Sequence, residues 1–389
     1  MNHQPISRRH LLAGAGGLAA AGGLFGVAGL ARSAVESPTR AGAGLRIGYL
    51  PITDAAPLLI AHSAGLYPSD AVSSARPVLF RSWAALAEAF ITRQVDIVHL
   101  LMPMAVQLRY ALGGAVRILG WNHTNGSALT VAPHVRDLSD LAGTQVGIPF
   151  WWSIHNIVLQ RLLRAHGLRP VVRRSASRSD STVELIVMSP SDMVPALANG
   201  SIGGYVVADP FNAVAQIKKI GRIATFLGDV WRDHACCVLL AHEDVTTRHP
   251  EQVQAVTDAV VGAQLRIGAD RAAAAITLAG GYLPQPVGAI QLALTYPKPP
   301  YPLVHPDWQP QRIGYQPFPF PSYTERLIEA MRDTVIDGSR GFLDRLDPAR
   351  VHSELVDDAF VRRSLNTHGG PQAFGLDPAL TRTEEVQPL

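Results

Sequence analysis

The sequence predicts an α/β protein of two lobes, each a mostly parallel sheet flanked by helices, joined by a two-segment hinge. Three observations predict it. The chain has 389 residues, more than one small core needs. Short apolar runs alternate with amphipathic ones across short connections, the pattern of parallel sheet covered by helices. That alternation then restarts partway along the chain.

The first round begins with "LRIGYL" (Leu45–Leu50), which reads as a buried strand. "PITDAAPLLIAHSAGLY" follows as a loop and a helix, with Thr53 or Asp54 available as the cap and Pro57 tolerated in the first turn. "PVLFR" is a second strand, "SWAALAEAFITRQ" a helix opened by Ser82, "VDIVHLL" a third strand, and "MPMAVQLRYAL" a helix. "AVRILGWN" and "SALTVA" read as further strands.

The second round runs through "GTQVGIPF" (strand), "SIHNIVLQRLLRAHGL" (helix ended by Gly167), "TVELIVM" (strand), "SPSDMVPALANG" (helix), "IGGYVVADP" (strand) and "FNAVAQIKKIG" (helix). "HPEQVQAVTDAVVGAQLRI" is a long amphipathic helix beyond it. The expected organisation is a first lobe over 45–130, an inserted lobe over 131–222, and a return to the first over 223–345. The hinge passages fall near Thr130–Val135 and Ile223–Val238. The proline-dense stretch from Leu283 to Pro321 carries interleaved Tyr, Trp and Phe and reads as an extended strap packed on the body. A C-terminal extension over 346–389 is expected to end loose and polar.

Residues 1–33 read as a targeting segment of the twin-arginine type: paired Arg8–Arg9 precede a charge-free Gly/Ala/Leu stretch from Ala13 to Ala31. Residues 34–44 are a linker. Cleavage after Ser33 and retention as a membrane anchor are both open. Lipid attachment is excluded, because the two cysteines, Cys236 and Cys237, lie far downstream. No later stretch is long and apolar enough to span a membrane. The expected location is therefore the periplasm or the outer face of the cytoplasmic membrane.

The formal charge is 34 − 31 = +3, and Arg8, Arg9 and Arg32 of the extension account for all of it. A neutral body gives no electrostatic case for nucleic acid or an anionic membrane surface, and a monomer is expected. The adjacent cysteines in "ACCVLLA" can form a strained vicinal disulfide or a reactive pair, but the run reads as a buried strand with small apolar filler. Two cysteines do not complete a four-ligand zinc site unaided.

Strand ends that feed helices present unpaired N–H groups suited to anions. Four such places stand out: "PITDAAPL", "RSWAAL", "PFWWSIHN" and "VADPFNA". Facing lobes would let Trp83 and Trp151 or Trp152 wall a cleft, with His155, Ser153, Thr53 and Asn125 as donors. His155 also reads as a packed or capping histidine. Asp54 and Asp209 read as acceptors of backbone hydrogen bonds in their turns, or as contacts to a polar part of a ligand. Hydrolase, zincin and phosphate-loop templates are missing, and the fourteen histidines are scattered rather than paired at metal spacing. Binding without turnover, with no cofactor and no metal, is the expectation.

Several stretches then resemble the nitrate/sulfonate/bicarbonate-type solute-binding proteins of ABC importers, within them the nitrate- and bicarbonate-binding branch. They are "GYLPITDAAPLLIAHSAGLY", "SWAALAEAFITRQVDIVHLLMPMA", "NGSALTV", "GIPFWWSIHNIVLQRLL", "MVPALANGSIGGYVVADPFNA" and "VWRDHACCVLLAHEDVTTRHPEQV", in the family's order between Leu45 and Ile267. "FPFPS" at Phe318–Ser322 suits the family's C-terminal region.

The resemblance implies a type II periplasmic-binding-protein fold that closes on a small anionic solute and delivers it to an ABC permease and its ATPase. It also implies that Trp83 and His155 match ligand-contacting positions and that Asn125–Gly126 matches a contact loop. Ser127 departs from the longer amide usual there, and Asp209-Pro210-Phe211 replaces a family Glu-Pro-Trp. After "WRDH" the chain has Ala235-Cys236-Cys237 where the family often carries Pro and charged residues. That departure points to a substrate such as an organic sulfonate or a nitrogenous solute. An enzyme on the same fold (desulfinase-like or pyrimidine-synthase-like) and a sensory module are the alternatives, and "HACC" leaves the desulfinase reading open.

Overall fold

The computed structural model describes residues 44–73, 76–297 and 312–387. The targeting segment, most of the linker and the centre of the proline-rich strap lie outside those residues.

Ile47–Tyr49 (β1), Val78–Leu79 (β2), Ile97–Leu101 (β3), Val116–Trp121 (β4) and Cys237–His242 (β12) form the first sheet, in the order β2-β1-β3-β12-β4. β1 pairs in parallel with β2 and β3, whereas β12 runs antiparallel to both β3 and β4. β3 and β12 are buried along their whole length, as unbroken apolar runs at the centre of a covered sheet should be.

Ser127–Val131 (β6), Gln145–Ile148 (β7), Arg169–Val171 (β8), Thr182–Val187 (β9), Gly204–Ala208 (β10) and Arg222–Phe226 (β11) form the second sheet, in the order β11-β6-β10-β7-β9-β8. Here β6 is the antiparallel strand, paired with β10 and β11. Each sheet thus carries one reversed strand, placed where the chain has just crossed from the other lobe. A ribbon of Thr124–Asn125 (β5) and Ile313–Gly314 (β13) marks the first crossing.

The first change of sheet falls at Gly126, earlier than the expected 130/131 boundary, because "SALTV" pairs with β10 rather than with β4. Asn125 (φ 56°) and Gly126 (φ 81°) both take left-handed backbone there. Asn tolerates that region through local hydrogen bonding and Gly through its missing Cβ. The Gly126 N–H donates to the Arg312 carbonyl, and its own carbonyl accepts from the Asp209 N–H at 3.1 Å.

The helix Trp83–Ile91 starts on Ser82, whose Oγ accepts from the Ala85 N–H at 3.2 Å. The helix Ile154–Ala165 starts on Ser153, which accepts from the Asn156 N–H at 3.1 Å. Thr53 and Asp54 do not cap the helix Ala56–Ser63 as expected: they form a short 3-10 turn ahead of it, and Thr53 Oγ1 reaches another segment. The expected loose C-terminus is instead tied down. Arg232 N–H donates to the Glu385 carbonyl at 3.0 Å, Gln387 N–H to the Val230 carbonyl at 2.8 Å, and Trp231 Nε1 to Glu384 Oε2 at 3.0 Å. Among the described residues, no helix is long and apolar enough to cross a membrane.

Gly126→Ala is expected to cost about 1–3 kcal/mol, the scale of a strained left-handed non-glycine residue. The new Cβ would also sit 3.1 Å from Ile313 Cγ1; denaturant unfolding measures the loss. Burial pushes the imidazoles of His242 and His352 down to about 4 from 6.5. The unfolded chain therefore binds more protons than the folded one between those values. Their contribution to stability should be complete above about pH 7 and shrink as pH drops from about 6.5 toward 4, by up to about 1.4 kcal/mol per pH unit for each histidine. Melting curves across that range test the sign.

Candidate functional site

A buried polar cluster lies where the strand ends of the two sheets meet. From the first lobe come Thr53 and Asp54 after β1, His99 on β3, His123 after β4, and Cys236 and Cys237 at the start of β12; all are buried. From the second come Ser127 at the start of β6, His155 in the first turn of its helix, and Asp209 after β10.

Asp209 joins the lobes. Its carbonyl accepts from Thr53 N–H at 2.8 Å and from Thr53 Oγ1 at 3.0 Å. Its Oδ1 accepts from Tyr296 Oη at 3.1 Å and from the Ala213 N–H at 3.3 Å. The Asp209–Pro210 peptide is cis.

Asp54 Oδ2 stands 3.0 Å from His123 Nε2 and 3.8 Å from Cys237 Sγ, a charge pair sealed from water. Beyond that contact, His123 Nδ1 and Asp54 Oδ1 have no hydrogen-bond partner among the described residues. His99 is fully buried with neither nitrogen bonded among the described residues, its ring 5.8 Å from that of Trp83. His155 Nε2 lies 2.9 Å from Ser127 Oγ and 3.9 Å from Cys236 Sγ, and its Nδ1 has no partner among the described residues. The thiols are free and 3.6 Å apart.

Burial acts against every charge in this cluster, and the neighbours decide where it wins. It pushes Asp54 up to about 6 against the pull of His123, and Asp209 up to about 7 against its hydrogen bonds from Asn212 and Tyr296. It pushes His99 down to about 3, with the charge on His123 adding to the effect. For His123 burial works the same way, but the Asp54 carboxylate outweighs it and holds the imidazole up to about 10. An ion pair and a neutral imidazole therefore share one buried cluster.

Of the expected site residues, Trp83, His155, Thr53, Asp54 and Asp209 come together here. Asn125 and Gly126 stand at the crossing beside them, where Asn125 N–H donates to the His234 carbonyl at 2.9 Å and its Nδ2 to Asp233 at 3.2 Å. The rest of "WWS" does other work. Trp152 is 1% exposed and packs edge-on to Phe342 at 5.7 Å in the core. Trp151 is half-buried, and its carbonyl accepts from Asn156 Nδ2 at 2.9 Å. Ser153 Oγ is spent on its cap and on the Phe150 carbonyl at 2.8 Å.

His99, His123 and Tyr296 belong to the site although no motif singles them out. A lone histidine inside the apolar run "IVHLL" was the available signal. Cys236 and Cys237 are buried as expected, yet they face polar groups rather than acting as filler, because β12 begins at the cleft edge.

A model of the NMT1-like family matches residues 40–279. The nitrate/nitrite binding protein NrtA of Nostoc sp. is 26% identical over 253 residues, 60% of this chain and 56% of that protein. The nitrate import ATP-binding protein NrtC of Synechocystis sp. is 26% identical over 232 residues, 56% of this chain and 34% of that protein. The chain thus spans about half the length of the first relative and about a third of the second. The crystal structure of the periplasmic nitrate-binding protein NrtA from Synechocystis PCC 6803 superposes with a TM-score of 0.71 at 18% identity, covering 88% of this chain and 93% of that one. The fold is that of the type II periplasmic binding proteins, as the sequence resemblance implied.

Tyr296→Phe removes one donor to the buried Asp209 carboxylate. It should lower stability by about 0.5–1.5 kcal/mol, the net worth of one such bond. Urea unfolding at neutral pH measures the difference.

Proposed function

The chain belongs to the NMT1-like family, and on that premise we propose that it is the extracytoplasmic solute-binding component of an ABC importer. It captures a small anionic solute of the nitrate, sulfonate or bicarbonate class between its lobes. The solute is released unchanged to a membrane permease driven by its ATPase. The relatives, a nitrate/nitrite binding protein and a nitrate import ATP-binding protein, support the anion class and the importer partners. The Arg8–Arg9 segment supports export to the periplasm by the twin-arginine route.

One observation carries the reading: polar groups of both lobes meet, fully buried, at the strand ends, with Asp209 bonded across the gap to Thr53 and held by Tyr296. Ligands of open α/β sheets bind at such ends. Enclosure on this scale requires the lobes to part for entry and to close on the bound solute, and closure strengthens each charge-assisted hydrogen bond by excluding water. His155, at a helix start with Nδ1 unbonded, supplies a donor. Trp83, against His99, forms apolar wall.

Titration calorimetry of the exported chain with nitrate, bicarbonate, taurine and an alkanesulfonate tests the proposal. One of these should bind stoichiometrically. His155→Ala and Trp83→Ala should each weaken it by about 1–3 kcal/mol, the scale of one lost anchor. Unchanged affinity in both variants would remove the cleft assignment.

A further inference from the structure

We propose that Asp54, His99, His123 and Cys237 form a binding site for one divalent transition-metal ion of the zinc class. The inference goes beyond the importer reading and does not depend on which solute the cleft takes.

The four side chains each offer one ligand atom, and these atoms all lie within 4.8 Å of one another. Zinc bonds of about 2.0–2.3 Å to nitrogen, oxygen and sulfur put the corners of a tetrahedron about 3.3–3.8 Å apart. Two edges are already near that length: His123 Nε2 to Asp54 Oδ2 at 3.0 Å, and Cys237 Sγ to Asp54 Oδ2 at 3.8 Å. The remaining edges, none longer than 4.8 Å, need to contract by at most about 1–1.5 Å, which is within reach of side-chain rotation.

One sheet brings the ligand-bearing segments together. Asp54 follows β1, His99 lies on β3, Cys237 opens β12 and His123 follows β4, and β1-β3-β12-β4 are consecutive neighbours in one sheet. Cys237 pairs directly with Leu101 in the ladder, two residues along β3 from His99. The site is therefore assembled on the first lobe alone and does not wait for closure.

The second, independent observation is the unmet bonding of the same side chains. Both nitrogens of His99, Nδ1 of His123 and Oδ1 of Asp54 are buried with no hydrogen-bond partner among the described residues, and His123 Nε2 has only the Asp54 carboxylate beside it. Native interiors rarely leave such groups unpaired, and each costs about 1–3 kcal/mol. An ion at the centre would satisfy one nitrogen of each imidazole at once. It would also keep the charge balanced. The carboxylate and the thiolate carry −2 against the +2 of the ion, so the dry pocket stays neutral. Imidazole and thiolate select the zinc class over magnesium and calcium, which require oxygen ligands. On binding, the ion displaces two protons to solvent, one from the Cys237 thiol and one from the His123 imidazolium; no oxidant or reductant is involved.

The test uses the untagged full-length chain, stripped with a chelator and desalted under a reductant, with no solute added. Titration with Zn2+ should show one ion per chain, and Co2+ should give a sulfur-to-metal charge-transfer band that disappears in Cys237→Ser. His99→Ala and Asp54→Asn should each weaken Zn2+ binding at least about tenfold, with circular dichroism confirming the fold. Should Cys237→Ser fail to fold, Asp54→Asn carries the comparison. Absence of stoichiometric uptake by the folded chain would overturn the site, as would uptake that is indifferent to these substitutions or displaced by Mg2+ or Ca2+. Because no solute is present, neither result bears on the nitrate and sulfonate titrations.

Discussion

Thr53 and Asp209 meet between the two sheets through a pair of hydrogen bonds, and both residues are sealed from water. A carboxylate-bearing turn of this kind cannot be dried out without donors. Asp209 receives them from Thr53 of the first lobe, from Tyr296, and from Ala213 of its own helix. Each bond is worth little net, but a buried acceptor left alone costs its whole desolvation. The crossing at Asn125–Gly126 follows from the same requirement. The chain must turn through left-handed backbone there so that Gly126 can bond Arg312 and Asp209 on either side.

The cleft handles charge without a lysine or arginine among the cluster residues. Burial, which disfavours every charge, is outweighed at His123 by the Asp54 carboxylate and prevails at His99. A solute that enters this pocket meets groups whose charge is set by neighbours a few ångströms away. On the proposed reading, closure would act on affinity by removing water and by completing those neighbours. Trp83 packs against His99 with ring centroids 5.8 Å apart, where the proposed function puts an apolar wall.

The C-terminal segment adds a further tie to the second lobe. Gln160 donates through Nε2 to the Val335 carbonyl at 2.7 Å and accepts from the Val335 N–H at 2.9 Å, while Trp152 packs on Phe342. Trp152, the second tryptophan at the helix mouth, is thus an anchor for this segment. Large aromatics at a strand-to-helix turn suit a ligand wall and a docking face equally well, and local sequence does not distinguish the two.

The alternation of strands and helices, the serine caps at Ser82 and Ser153, and the place of His155 at a helix start were all legible in the residues alone. They depend on periodicity and on atoms a few positions apart. That β12 inserts between β3 and β4, and that "SALTV" belongs to the second sheet, was not legible. Strand order is set by which apolar faces and ladders fit across long separations, and no local pattern records that choice. Asp54, His99, His123 and Cys237 converge for the same reason: four strands distant in the chain had to become neighbours before their side chains could share one point.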